Sequence, residues 1–98
     1  MKIGKRFKTA EDFARGLGFS DLDIEMIRQK KRLIEKLKKA RLKKGFSQAK
    51  LAHLVSSKQP AIARMEAGQV SQVSMDFLIK VAIVLEVPIS IRPFEDAA

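Results

Sequence analysis

The sequence contains no cysteine and only one histidine, His53. Without cysteine, neither disulfides nor thiolate metal sites can form. A lone histidine also supplies too little for a metal cage or for a histidine-based catalytic pair. The sequence therefore predicts neither a metal nor a cofactor.

Long apolar runs and enzyme motifs are also missing. No segment reaches the roughly eighteen apolar residues that a membrane-spanning helix needs, and no apolar signal-peptide core follows the charged N-terminus. We therefore expect a cytoplasmic protein with no membrane partner. Because no paired-carboxylate motif, nucleophile elbow or phosphate-binding glycine loop is present, we also expect no enzymatic activity.

What the chain does have is positive charge, concentrated in its first half. It has 98 residues, enough for one domain, with 20 Lys and Arg against 11 Asp and Glu. Residues 1–50 hold sixteen basic and six acidic side chains, whereas residues 51–98 hold four and five. Such asymmetry favours a polyanion or an acidic partner, although a solvated lysine-rich helix surface would give the same pattern.

Apolar spacing predicts an all-α bundle of about five helices with a short C-terminal β-strand. We divide the chain into a basic arm with a short helix (1–20), a main domain (21–87) and a strand with a tail (88–98). The strand is predicted because apolar and polar residues alternate from Ile89 to Arg92. It could pair with a second subunit or pack on its own domain.

The segment from Phe46 to Gly68, FSQAKLAHLVSSKQPAIARMEAG, fits two short helices joined by a tight turn. Apolar residues at its packing seam are Leu51, Val55, Ile62 and Met65, with the small Ala52 allowing close approach. This is a helix-turn-helix arrangement, in which the second helix can present one face to a DNA major groove.

The residues of this segment resemble the Xre/Cro-repressor family. The matching positions are Phe46-Ser47-Gln48, Leu51-Ala52 and Ile62 through Gly68, within a similarity that covers about residues 33–87. The resemblance implies a lambda-repressor-like fold. The long preceding helix and the C-terminal layout are similar to the HigA-like antitoxins, which repress their own operon and bind a RelE/HigB-like ribonuclease toxin.

The resemblance also implies roles for individual residues. Gln59 and Arg64 would meet base edges, Gln59 at adenine and Arg64 at guanine or a phosphate, with Pro60 and Ala61 beside them. Ser47 would cap the helix from which Gln48 contacts a phosphate. The remaining implied DNA-binding residues are Lys58, Gln69, Ser71 and Gln72, and Arg41 with Glu66 is implied as a structural salt bridge.

Two positions depart from the family pattern. Ser56 stands where the turn usually has glycine, which tolerates a positive φ. Lys58 stands where the recognition helix usually has a serine cap, with Ser57 one residue early, so the sequence leaves the start of that helix open.

The predicted function is a sequence-specific transcriptional repressor, a homodimer that binds an inverted-repeat operator in double-stranded DNA. Its two recognition helices would enter major grooves about 34 Å apart. The protein is predicted to be the antitoxin of a type II pair with a RelE/HigB-like toxin. The alternatives are a phage-type or stand-alone regulator without a toxin, and an interaction module with little DNA specificity.

Overall fold

Five α-helices account for most of residues 9–93, which are the residues described by the computed structural model. They are α1 (Ala10–Gly16), α2 (Asp21–Lys44), α3 (Gln48–Leu54), α4 (Gln59–Glu66) and α5 (Met75–Leu85), with a 3-10 turn at Val70–Gln72. The prediction of an all-helical bundle is confirmed. Within the described part of the chain, none of the helices is both long and apolar enough to span a bilayer.

Side-chain caps explain where most of the helices begin. In each case a hydroxyl accepts a hydrogen bond from the backbone N–H three residues later, and the capping residues are Thr9, Ser20, Ser47 and Ser74. Such a cap satisfies a backbone donor that has no partner within the helix. Gly45, with φ of 75°, ends α2 in the left-handed conformation.

The recognition-helix candidate α4 begins differently. Its N-cap residue, Lys58, has an extended backbone and makes no capping hydrogen bond through its side chain. The first helical residue is Gln59, followed by Pro60, whose missing N–H costs nothing in the first turn. The structure therefore fixes the helix start that the sequence left open.

One apolar core holds α2 to α5 together. Its fully buried side chains are Leu37, Leu51, Ile62, Met65, Leu78 and Val81. Because each contributes about 1.5–3 kcal/mol by leaving water, this core fixes how α3 and α4 are oriented on α2. The short α1 lies outside the core and packs on α2.

The predicted C-terminal strand is not seen among the described residues. The segment from Val87 to Pro93 has no regular secondary structure. The backbone N–H of Arg92 donates to Gln29 Oε1, and the Arg92 carbonyl accepts from Gln29 Nε2, both at 2.9 Å. The side chain of Gln29, on α2, thus makes the two backbone hydrogen bonds with Arg92 that a neighbouring strand would otherwise make. Without such a strand, the alternation of Ile89 and Ile91 does not produce a sheet.

Ser56 adopts the left-handed backbone conformation that the turn requires, with φ of 58°. Its N–H donates to the His53 carbonyl, and the next N–H, of Ser57, donates to the Ala52 carbonyl at 2.8 Å. For a residue with a Cβ this conformation costs about 1–2 kcal/mol. The turn therefore forms as in a glycine-containing elbow, but with local strain.

We expect Ser56→Gly to stabilise the fold by about 0.5–1 kcal/mol, because relief of the strain exceeds the added entropy of the unfolded chain. Urea unfolding measures the change. Ser57→Gly is the matched control: Ser57 is not among the described residues with positive φ, so glycine there should destabilise. Equal effects at the two positions would contradict the strain at Ser56.

Candidate nucleic-acid interface

The elbow formed by α3 and α4 is held by an apolar seam. Leu51, Ile62 and Met65 are fully buried, and Ala52 is 2% exposed. Because these side chains are buried and closely packed, the angle between α3 and α4 can change little. Side chains on the outer faces of the elbow are therefore presented in fixed positions.

A buried ion pair joins α2 to the end of α4. Arg41 Nε lies 2.6 Å from Glu66 Oε2, and Arg41 Nη2 lies 2.9 Å from Glu66 Oε1, a bidentate arrangement. The Arg41 Nη1 atom also donates to the carbonyl of Phe46 at 2.7 Å, just before α3. One guanidinium thus joins its own helix, α2, to α4 and to the segment that leads into α3.

The charges of this pair stabilise each other. Burial raises the pKa of the Glu66 carboxyl, but hydrogen bonds from Arg41 and Gln48, with the charges of Arg41 and Lys38, outweigh burial and leave this pKa below its ordinary value. The hydrogen bond to Glu66 raises the pKa of Arg41. Both groups are therefore ionised at neutral pH.

Two glutamines extend the pair to the surface. Gln48 Nε2, at the first position of α3, donates to Glu66 Oε1 at 3.0 Å. Gln59 Nε2, at the first position of α4, donates to Gln48 Oε1 at 2.6 Å. We call Arg41, Glu66, Gln48 and Gln59 the amide network; it runs from a buried cation to an exposed amide.

The end of this network has chemistry suited to a base edge. Gln59 is exposed, and only one of its two Nε2 hydrogens is used within the network. Its Oε1 atom and its second N–H remain as a neighbouring acceptor and donor. That combination matches the N6 donor and N7 acceptor of adenine in the major groove.

The other predicted contact residues are not part of the amide network. Arg64 is exposed and makes no side-chain hydrogen bond or ion pair with any residue from 9 to 93, and Pro60 is exposed one turn earlier. Ala61 is only half-exposed, so less of its methyl group is accessible. The remaining predicted residues, all exposed, are Ser47, Lys58, Gln69, Ser71 and Gln72.

Several contacts of this region were not predicted from the sequence, and two of them illustrate the reason. The hydrogen bond between Gln48 and Gln59 joins residues eleven apart, and its only sequence signal is that both begin a helix of the elbow. In the other, Lys30 Nζ donates to the Val70 carbonyl at 2.8 Å and ties α2 to the loop after α4. No spacing rule indicates that second contact.

Comparison with protein families gives a match for this chain. The model of a helix-turn-helix family matches residues 37–91, more than half of the chain. Neither the curated proteins nor the solved structures give a match. The matched range includes α3, α4, α5 and the last two turns of α2, and it leaves α1 and most of α2 outside.

Proposed function

Because this chain belongs to the helix-turn-helix family, whose members are DNA-binding regulators, we propose that it is a sequence-specific transcriptional repressor. The observation that carries the proposal is the exposed amide of Gln59, held at the start of α4 by a hydrogen bond to Gln48. A reading side chain fixed in this way loses little conformational entropy when it meets a base.

In this proposal the outer face of α4 reads the major groove. Gln59 bonds adenine, and Arg64, five residues further along α4, bonds guanine O6 and N7 or a phosphate. Pro60 and the half-exposed Ala61 add apolar contact, for which a thymine methyl is the matching group. With so few reading side chains, specificity is modest.

Contacts to the DNA backbone provide most of the affinity. Gln48 keeps one Nε2 hydrogen for a phosphate after its bond to Glu66, and Lys58 precedes the recognition helix. The other residues assigned to the backbone are Ser47, Gln69, Ser71 and Gln72. Because a cation that neutralises a phosphate releases a counterion, the contact of Lys58 in each subunit should make binding weaken as salt rises.

We propose a homodimer on an inverted repeat, with two surfaces that could form its interface. On α5, exposed apolar side chains recur every four residues at Met75, Ile79 and Ile83, and Ile83 is 70% exposed. Near the C-terminus, Ile91 is 78% exposed in a segment without regular secondary structure, which a second copy could pair with. Both surfaces would bury apolar area in a dimer.

We also propose that the protein is an antitoxin, because its sequence resembles the HigA-like proteins. Exposed apolar side chains outside the DNA-reading face, such as Leu17 and Phe19, offer a surface for a RelE/HigB-like toxin. Co-expression with the neighbouring reading frame tests this role. Absence of a small ribonuclease gene beside this one would instead favour a stand-alone or phage-type regulator in the cytoplasm.

Selection of binding sites from random duplexes tests the DNA-reading role. The full chain should enrich an inverted repeat whose half-sites lie about one helical turn apart. We expect the double variant Gln59→Ala with Arg64→Ala to lower the ratio of specific to non-specific affinity by at least about tenfold. Lys80→Ala, an exposed change on α5, is the control. An unchanged site preference in the double variant would refute this reading face.

A further inference from the structure

A groove of about 640 Å³ lies between α1 and α2, away from the elbow. Its apolar floor is formed by Ala14, Ile24 and Ile27. Its rim is cationic, with Arg28, Lys31, Arg32, Lys36 and Lys39, and contains one acid, Glu35. The groove therefore combines an apolar base with strong positive charge.

The groove opens on the face of α2 that points away from the amide network. Glu35 and Leu37 are two residues apart, which corresponds to about 200° of rotation in a helix, and Leu37 is fully buried in the core. Lys39 and Arg41 are also two residues apart, so they lie on nearly opposite faces of α2, and the Arg41 side chain pairs with Glu66. A ligand in the groove would therefore leave Gln59 and Arg64 accessible.

Three lysines of the rim are available for a ligand. Lys31, Lys36 and Lys39 form no salt bridge with any residue between 9 and 93. Lys31, Glu35 and Lys39 recur every four residues and form one stripe along α2. From Ile24 to Lys39 the groove follows α2 for about 22 Å, the length of a helix of about fifteen residues.

We propose that this groove binds an acidic amphipathic helix of a partner protein. Apolar side chains of that helix would cover the half-buried Ala14 and Ile27, and its carboxylates would face the lysines of the rim. Charge complementarity selects the acidic partner, and the apolar floor favours a peptide over DNA, since a phosphate backbone offers no apolar surface to bury. The DNA-reading face and the groove could then be occupied together.

A synthetic fifteen-residue helical peptide with a leucine stripe and glutamates on its other faces is a suitable probe. Its affinity for the full chain is measured by fluorescence anisotropy, and its position by amide shifts in a ¹⁵N-labelled sample. We expect the shifts to concentrate at Ala14, Ile24 and Ile27. A peptide with serine in place of leucine, or glutamine in place of glutamate, should bind at least about tenfold more weakly.

Variants of the rim should change affinity in opposite directions. Lys31→Gln with Lys39→Gln should weaken binding of the acidic peptide about fivefold, whereas Glu35→Gln should strengthen it about twofold, because Glu35 repels the ligand. Lys80→Gln, which removes an equivalent charge from α5, should leave affinity within about twofold.

Three results would overturn the proposal. The serine peptide could bind as tightly as the leucine peptide, which would mean that binding depends on charge attraction alone and not on the apolar floor. The amide shifts could lie on α4 or α5 instead of the groove. Finally, the rim variants could reduce binding of a non-operator duplex while leaving peptide binding unchanged, which would assign the groove to DNA.

Discussion

Replacement of Glu66 by alanine is expected to lower the free energy of unfolding by about 3–5 kcal/mol, the cost of leaving a buried charge unpaired. The side chains of Arg41 and Glu66 are 10% and 4% exposed, so water does not replace the lost carboxylate. Urea unfolding at pH 7 measures the loss. Truncation would also remove the acceptor for Gln48 and so free the glutamines that lead to the surface.

The matched control is Glu86→Ala, which removes the Glu86 carboxylate from its salt bridge with Lys44. That pair is separated by 3.1 Å, but the Glu86 side chain is 79% exposed, so its loss should cost at most about 1 kcal/mol. If Glu66→Ala does not fold, the double variant Arg41→Leu with Glu66→Leu remains informative. It should be more stable than Glu66→Ala because no charge is left buried, and a double variant that is less stable would contradict this account.

Acid should remove the contribution of Glu66. Because its pKa is lower in the folded state than its ordinary value of about 4.3, the stabilisation is fully present above that value and is lost as pH falls through the folded pKa. The stability difference between the wild type and Glu66→Gln should therefore be largest near neutral pH and shrink toward pH 3. A difference that widens in acid would contradict the sign of this shift.

The sequence predicted the helical framework well because local chemistry sets it. The hydroxyl caps at Thr9, Ser47 and Ser74 act within three residues, and the apolar stripe of α2 is a local periodicity. Both depend on neighbours along the chain and need no knowledge of tertiary contacts. The starts of α1, α3 and α5 are therefore set by residues within one turn of each helix.

Features that depend on distant partners could not be predicted in the same way. The alternation of Ile89 and Ile91 indicated a strand, but the backbone of Arg92 bonds Gln29, 63 residues away. The cationic face of α2 was visible in the sequence, whereas the groove beneath it exists only because α1 packs back on that helix. Tertiary packing decides both outcomes.

Ser56 is a position where the sequence suggested a change in the turn that the structure does not show. The family resemblance expects glycine in the turn, and a serine there could have moved the start of α4. The structure keeps the turn and accepts a positive φ at Ser56, because the seam of Leu51, Ile62 and Met65 determines how the two helices meet. Packing of the elbow therefore outweighs the local preference of one residue.

The second large effect concerns how Gln48 acts through Gln59. We expect Gln59→Ala to reduce discrimination at one operator base pair by about 1–3 kcal/mol, which is about 5- to 150-fold, because the bidentate bond to adenine is lost. Gln48→Ala should lower the same discrimination, since Gln59 loses the acceptor that orients its amide. Affinities for the selected operator and for single-base variants measure both losses.

The two glutamine substitutions should not add. Once Gln59 is alanine, Gln48 has no amide to orient, so the double variant should discriminate at that base pair about as poorly as Gln59→Ala alone. Gln72→Ala, an exposed glutamine outside the amide network, is the control and should leave discrimination at that position unchanged. Fully additive losses would mean that Gln48 and Gln59 contact the operator independently, and the bond between them would then have no part in base recognition.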